Sequence, residues 1–269
     1  KNDNQESFSK VSISWYPGHM AKTKRQIIED LKLIDVIVEI LDARIPISSQ
    51  NPDVKTYSKN KSRVVVLNKS DLADEIETKK WVKHFEKQGI PAIITDSNSG
   101  KGINDVIKAV QNVYKKDEEK FASKGRIGKS IRIMILGIPN VGKSSFINRI
   151  TKKNIVQVGN RPGVTKQKQW IRLQEGIELM DTPGVLWPKF ESEEVGLNLA
   201  FTGTIKDDIL EKTEIAFQLL KYLINNYEKN VIERFKLDEN IIKEILKSNE
   251  EENDKILKIM DIIAKKRGA

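Results

Sequence analysis

The sequence predicts an α/β fold with a mostly parallel sheet, followed by a small C-terminal all-α domain, and three observations carry that expectation. Short apolar strands alternate with amphipathic helices as far as about Phe190, one of those strands runs straight into a Gly-rich turn at 137–144, and beyond Phe190 only helical periodicity remains. Repeated β-α units assemble into parallel sheets because each crossover returns the chain to the same end of the sheet. At 269 residues the chain can bury a sizeable core, as one large domain or two modest ones.

Taken in order, Ile27, Ile28, Leu31 and Ile34 fall at helical spacing within 22–34, and 36–41 reads as a buried strand ending in Asp42-Ala43-Arg44. A second buried strand spans 63–67, a helix stopped by Gly89 spans 76–88, a third strand spans 92–95, and another helix runs from Ile103 to about Lys115. The stretch 114–130 is rich in Lys, Glu and Gly and lacks an apolar face, which makes it a surface connection. The strand 131–136 enters the Gly-rich turn, and a helix begins at 146–150. Segments 156–158, 169–173 and 177–180 have strand character, with a loop at 159–166 between them, and helical periodicity returns over 209–224, 239–246 and 255–263. The chain thus divides into an N-terminal segment at 1–20, an α/β domain at 21–190 and a helical domain at 191–269.

Composition narrows the function classes. With no Cys and only two His, a disulfide scaffold and a Cys-ligated metal site drop out and a His-rich one is disfavoured. No apolar run approaches the ~20 residues that a membrane-spanning helix needs. Residues 1–10 are polar, without the apolar stretch of a secretory signal, so the pattern is that of a cytoplasmic protein without a membrane partner. The formal net charge is +9. Residues 1–189 hold 34 Lys/Arg against 21 Asp/Glu, while the last 80 residues hold 13 against 17, so the positive charge belongs to the first part of the chain. The window 151–172 has six basic residues and no acidic one. A polyanionic partner such as RNA fits that distribution, and so does a solvated Lys-rich surface.

The turn Gly137-Ile138-Pro139-Asn140-Val141-Gly142-Lys143-Ser144 fits G-x-x-x-x-G-K-[ST], between a strand and a helix as that motif requires. Its glycines let the backbone wrap a polyphosphate, so that N–H groups around Asn140, Val141, Gly142 and Ser145 face the anion; Lys143 reaches the β/γ-phosphates and Ser144 ligates Mg²⁺. Asp181-Thr182-Pro183-Gly184 ends a later strand, where Asp181 can hold Mg²⁺ through water and the Gly184 amide can meet a γ-phosphate. Thr165, between the two, is the second candidate hydroxyl ligand. Asn68-Lys69-Ser70-Asp71 addresses the base: a carboxylate at Asp71 can accept both the N1 and N2 protons of guanine, and the stem of Lys69 can cover the purine face. Read alone, the same four residues fit an ordinary strand-to-helix turn with Asp71 as the helix cap. Asp96-Ser97 then stands where a Ser-Ala-Lys-like loop meets guanine O6 through backbone N–H, with Ser97 in the Ala position.

These guanine motifs precede the phosphate motifs, the reverse of the usual order. On that order, together with Trp15-Tyr16-Pro17-Gly18-His19-Met20-Ala21-Lys22, Asp42-Ala43-Arg44-Ile45-Pro46 and Asn51-Pro52, the sequence resembles the circularly permuted GTPases of the translation-factor-related class, in the branch that serves ribosome biogenesis. The resemblance covers about 14–205 and implies a P-loop GTPase fold, circularly permuted, that hydrolyses GTP slowly alone and faster on a ribosomal subunit. It implies a precursor of the large ribosomal subunit and its ribosomal RNA as partners, a monomeric protein, Mg²⁺ and K⁺ as cofactors, and a helical tail shortened after Lys266-Arg267-Gly268. Where many GTPases place a water-orienting Gln after D-x-x-G, this chain has Val185, so catalytic help must come from elsewhere. The resemblance assigns that role to His19, which on composition alone is a helix-start residue, and it places K⁺ near Asn140. Lys143 and Thr165 complete the expected catalytic set. Because the chain runs from Gly184 almost directly into the helical region, loss of a γ-phosphate could pull on that region, and GTP could order the basic window into an RNA-facing surface.

Overall fold

The computed structural model describes residues 19–57, 61–116, 130–152, 170–173, 176–181, 192–205 and 211–268. They fall into two compact units, one within 14–191 and one within 192–269.

The first unit is built on a sheet of strands β1 (Val36–Asp42), β2 (Ser62–Asn68), β3 (Ala92–Ile94), β4 (Ile131–Leu136), β5 (Trp170–Arg172) and β6 (Ile177–Asp181), in the order β3-β2-β1-β4-β6-β5. Every pairing is parallel except that of β5 with β6. All of β1 is buried, and so are the last residues of β2 and β4, which explains their near-continuous Val, Ile and Leu: a strand covered on both faces has no polar side. The short antiparallel β5 lies at the edge, with Trp170 and Arg172 exposed. The expected strand at 156–158 lies outside the described residues.

Helix α1 (His19–Asp30) precedes β1, three residues earlier than the apolar spacing indicated, and passes into a 3-10 turn at Leu31–Leu33. A short helix, α2 (Pro52–Tyr57), starts at the Asn51-Pro52 pair, where Pro supplies a preset φ and gives up an N–H that has no partner in a first turn. Helix α3 (Glu75–Lys87) packs Phe85, Trp81 and Val82 on Leu41, Val65, Leu67 and Ala92, covering one face of the sheet. Helix α4 (Ile103–Lys116) buries Ile103, Val106, Ala109 and Val110 and lies against β1, β2, β3 and the following helix α5 (Lys143–Thr151).

One polar pair is sealed into this sheet. Glu39 in β1 and Arg63 in β2 are diagonal neighbours on one face, 3.1 Å apart, with side chains 1% and 8% exposed. Burial pushes the Glu39 carboxyl up to about 7, against the pull of the Arg63 charge.

The second unit contains α6 (Glu193–Phe201), α7 (Lys212–Phe235), α8 (Glu239–Lys247) and α9 (Glu252–Arg267), around a core of Phe217, Leu220, Ile224, Val231, Leu237, Ile242, Ile256 and Ile259. The sequence missed α6, whose nine residues show little amphipathic contrast. It also ended the following helix at 224, whereas α7 continues to Phe235 across a kink at Tyr227 (φ −143°, ψ 37°). The kink resets the phase of the apolar face, so the periodicity read from the first half fails in the second. Among the described residues, no helix is long and apolar enough to cross a membrane.

Candidate nucleotide site

The sheet order turns a permuted sequence into an ordinary set of neighbours. From β1 the chain steps outward on one side to β2 and β3, then returns to the other side of β1 to place β4 and, beyond it, β6. The carboxyl ends of β1 and β4 therefore flank the point where the winding changes direction, and a crevice at that point is where open α/β sheets bind ligands. The motifs at strand ends sit at this edge. Asp42 and Asn68 are register partners at the ends of β1 and β2, the Gly-rich turn follows β4, and Asp181 ends β6 paired with Ile135.

Asn68 joins the two halves. Its side chain is buried; Nδ2 donates to the Val141 carbonyl at 2.9 Å, and Oδ1 accepts from the Thr95 hydroxyl at 3.2 Å, from Ser97 N–H at 3.1 Å and from the Ser97 hydroxyl at 2.7 Å. The Ser97 N–H, expected from the motif to face guanine O6, is thus directed inward to Asn68. Asp96 shapes the same loop by accepting from Asn98 N–H at 2.8 Å and Ser99 N–H at 3.2 Å. The hydrogen bond from the Ser99 hydroxyl outweighs the cost of burial and, with those amides and the Arg149 charge, holds the Asp96 carboxyl below the usual carboxylate range.

The phosphate turn is shaped by backbone. Asn140 and Gly142 have positive φ (63° and 89°), while Ile138 and Val141 are buried beneath the turn. At Gly142 a Cβ would lie 2.4 Å from Asn68 Nδ2, so glycine is required twice, by the dihedral and by the close approach. Gly142 also starts α5, whose first three residues are Lys143, Ser144 and Ser145; the N–H groups in the first turn of a helix point along its axis, here toward the turn. Phe146, Ile147 and Ile150 are buried and fix the helix beneath the turn.

Asp71 lies in a 3-10 turn, Ser70–Leu72, entered through Lys69 at φ 61°. The cap of α3 is Asp74, whose side chain accepts from Glu77 N–H at 2.9 Å, so the reading of Asp71 as a helix cap is corrected here. Asp71 is exposed at the carboxyl edge.

Two contributions were not read from the sequence. Arg149 of α5 donates through Nε to the Ser97 carbonyl at 3.2 Å and through Nη2 to the Asn98 carbonyl, tying the helix under the phosphate turn to the base-side loop. Nothing in the sequence marks it, since the two segments are some fifty residues apart. Asp42 accepts from Arg44 Nε at 2.9 Å and Nη2 at 2.7 Å, and its Oδ2 is 3.2 Å from Lys69 Nζ. Burial pushes the Asp42 carboxyl up, but the hydrogen bonds from Arg44 and the charges of Lys69 and Arg44 overcome it and hold the group below the usual range. An Asp-x-Arg at a strand end was the available signal, and it served only as a mark of resemblance.

Hard oxygen donors suit Mg²⁺, which takes one or two protein ligands and completes its shell with water and phosphate. Ser144 lies in the first turn of α5, and Asp181 is the last residue of the strand beside β4. His19 is the first residue of α1. The side chains of His19 and Asp181, and all of Thr165 and Gly184, lie outside the described residues, as do Val185 and most of the basic window.

Comparison with known proteins agrees with this geometry. Residues 132–265 match the family model described as 50S ribosome-binding GTPase. Ribosome biogenesis GTPase A of Bacillus licheniformis is 47% identical over 256 residues, 95% of this chain and 86% of that protein. The Thermotoga maritima protein of the same name is 36% identical over 203 residues, 76% of this chain and 70% of its own. Among solved structures, a GDP-bound YlqF matches with a TM-score of 0.56 and 27% identity, over 91% of this chain and 96% of that one. A GNP-bound YlqF from T. maritima matches with the same TM-score, at 26% identity, over 92% and 95%.

Proposed function

The chain belongs to the ribosome biogenesis GTPase A family, and from that premise we propose that this GTPase binds a precursor of the large ribosomal subunit, hydrolyses GTP there and thereby promotes a late step of its maturation. The observation that carries the nucleotide half of the proposal is the Asn68–Val141 hydrogen bond, which holds the base-reading turn and the phosphate turn at one crevice although 73 residues separate them. The partner half is supported by the 50S ribosome-binding description of the matching family model and by the excess of positive charge in residues 1–189.

In this reading Asp71 accepts the N1 and N2 protons of guanine, Lys69 lies along the purine face, and the Ser97 loop borders the base. The amides from Asn140 to Ser145 hold the phosphates, Lys143 neutralises the β/γ oxygens, and the Gly184 amide senses the γ-phosphate. Ser144 and Thr165 would hold Mg²⁺ directly and Asp181 through water, and Asn140 would help hold K⁺; these cations, when bound, offset charge developing between the β- and γ-phosphates. Because Val185 cannot orient water, His19 supplies that function when the protein is bound to the ribosomal particle. The protein acts as a monomer, and the basic window at 151–172 contacts ribosomal RNA in the GTP state.

Val185 also favours a second reading, a GTP-dependent RNA-binding scaffold whose hydrolysis is incidental; action in RNA modification ranks behind it. Steady-state GTP hydrolysis by the wild type and His19→Ala, each with and without purified large subunits in K⁺ buffer, separates them. Stimulation by subunits that His19→Ala abolishes while GTP binding persists is the expected result. Turnover indifferent to subunits would turn the reading toward the scaffold.

A further inference from the structure

The Asp-Ala-Arg sequence at 42–44 has no part in the nucleotide chemistry set out above, yet it ends the strand next to the base-reading turn. Asp42 and Asn68 are register partners, and Ala43 N–H donates to the Asn68 carbonyl at 2.8 Å, so the two strand ends leave the sheet side by side. The Asp42 side chain is 2% exposed, and it is enclosed by cations: Arg44 grips both of its oxygens, and Lys69 Nζ stands 3.2 Å from Oδ2. Its own backbone N–H is 3.0 Å from the Ser49 hydroxyl, and Arg44 N–H donates to Oδ1 at 3.1 Å, which fixes the carboxylate from the main-chain side as well.

Two consequences follow for groups that would touch the base. Lys69 sits in the left-handed region at φ 61°, a conformation a long side chain adopts only under constraint, and the far end of that side chain is anchored on Asp42. A lysine fixed at both its Cα and its Nζ holds its methylene stem in place, whereas an unanchored lysine would lose rotamer freedom on ordering over a ligand. Arg44, clamped in a bidentate pair, is in turn within electrostatic reach of Asp71, whose charge contributes to holding the guanidinium protonated. The pair thereby fixes a positive charge at the end of the strand next to the base-reading turn.

We propose that Asp42 is a positioning residue of the guanine site: it sets Lys69 along the purine plane and fixes Arg44 at the strand end next to the base-reading turn before the nucleotide arrives. It touches neither base nor phosphate and acts through these two side chains. The inference rests on the reading of 68–71 as the base-reading turn.

The test is equilibrium binding of a fluorescent methylanthraniloyl-GDP to the full chain with Mg²⁺, for the wild type, Asp42→Asn, Lys69→Met, the double variant, Arg44→Met and Asp71→Asn, with the xanthosine analogue as second ligand. Asp42→Asn is expected to weaken GDP about tenfold, Lys69→Met by a similar factor, and the double variant no further than the weaker single one, because both act on one interaction. In hydrolysis the loss should fall mainly on KM, since the base contact is the same in ground and transition states. Arg44→Met should weaken GDP severalfold, and it keeps the question open to measurement should Asp42→Asn fail to fold. Asp71→Asn should shift preference from guanine to xanthine, which reports on the base reading itself. If Asp71→Asn shifts preference while Asp42→Asn or, failing that variant, Arg44→Met binds GDP within twofold of wild type, the positioning role is overturned and the base reading stands. Effects of Asp42→Asn and Lys69→Met that multiply in the double variant would overturn it too. If Asp71→Asn leaves the preference unchanged, the base reading fails and this inference falls with it.

Discussion

The two sides of the crevice are prepared by different means. On the base side the backbone is held by side chains: Asn68 binds two loops, Asp96 closes one of them, Asp42 anchors Lys69, and Arg149 reaches over from α5. On the phosphate side the backbone shapes itself, through positive φ at Asn140 and Gly142 and through the helix start at Lys143, while its buried side chains Ile138 and Val141 only seat the turn. The reason lies in what each side must recognise. A base has one edge of donors and acceptors in a plane, which needs a few groups held at fixed angles; a polyphosphate is a diffuse anion, which a row of N–H groups can hold without any side chain.

If this contrast holds, the largest single effect should come from adding one carbon to the phosphate side. Gly142→Ala places a Cβ against Asn68 Nδ2 and in a left-handed conformation, and nucleotide affinity measured by fluorescence titration is expected to fall more than about 100-fold. Asn68→Ala should come next. It leaves the Val141 carbonyl and Ser97 N–H without their buried partner, so a loss of about 1–3 kcal/mol in stability and about 30-fold in GDP affinity is expected, read by chemical denaturation and by the same titration.

A finer separation of the two sides uses Arg149→Ala. It frees the loop at 97–98 but leaves the turn at 137–144 in place, so GDP affinity should drop about fivefold while competition by inorganic tripolyphosphate stays within twofold of wild type. Equal losses for both ligands would mean that α5 couples the sides more tightly than the hydrogen bonds indicate.

The smallest effect on binding is expected three residues before Asp42 on the same strand. Glu39 has one cation against it and Asp42 has two, with the result that burial prevails at Glu39 and is overcome at Asp42. A carboxyl raised in the folded state to about 7 from 4.5 keeps its proton where the unfolded chain has lost it. Folding stability should therefore fall as pH rises from 4.5 to about 7 and level off above that. Glu39→Gln should remove that slope in denaturation curves taken across the range, and leave GDP affinity at pH 8 within twofold of wild type. A wild-type curve that rises over this interval would show that another group dominates.

Much of this was legible in the residues. The buried strands at 36–41 and 131–136 announced themselves because a strand covered on both faces is apolar at nearly every position, Glu39 and Arg132 aside, and the Gly-rich turn because Gly142 combines a left-handed backbone with close approach to Asn68. The order of motifs pointed to a permuted domain. Helix α6 and the second half of α7 were lost to weak amphipathic contrast and to the kink at Tyr227, where helical phase is no longer local information.

What the sequence by itself determined is therefore the inventory: the buried strands of the sheet, the Gly-rich turn at 137–144, the Asn68-Lys69-Ser70-Asp71 turn and the family to which their order points. These are properties of short segments, fixed by steric limits on the backbone and by the chemistry of a few adjacent side chains. What only the tertiary structure decided is the wiring between them. Asn68 on the Val141 carbonyl, Arg149 on the loop at 97–98, Asp42 between Arg44 and Lys69, and the choice of Asp74 over Asp71 as the cap of α3 all depend on which strand ends lie side by side. Sheet order is set by packing across the whole domain, so no local pattern could carry it.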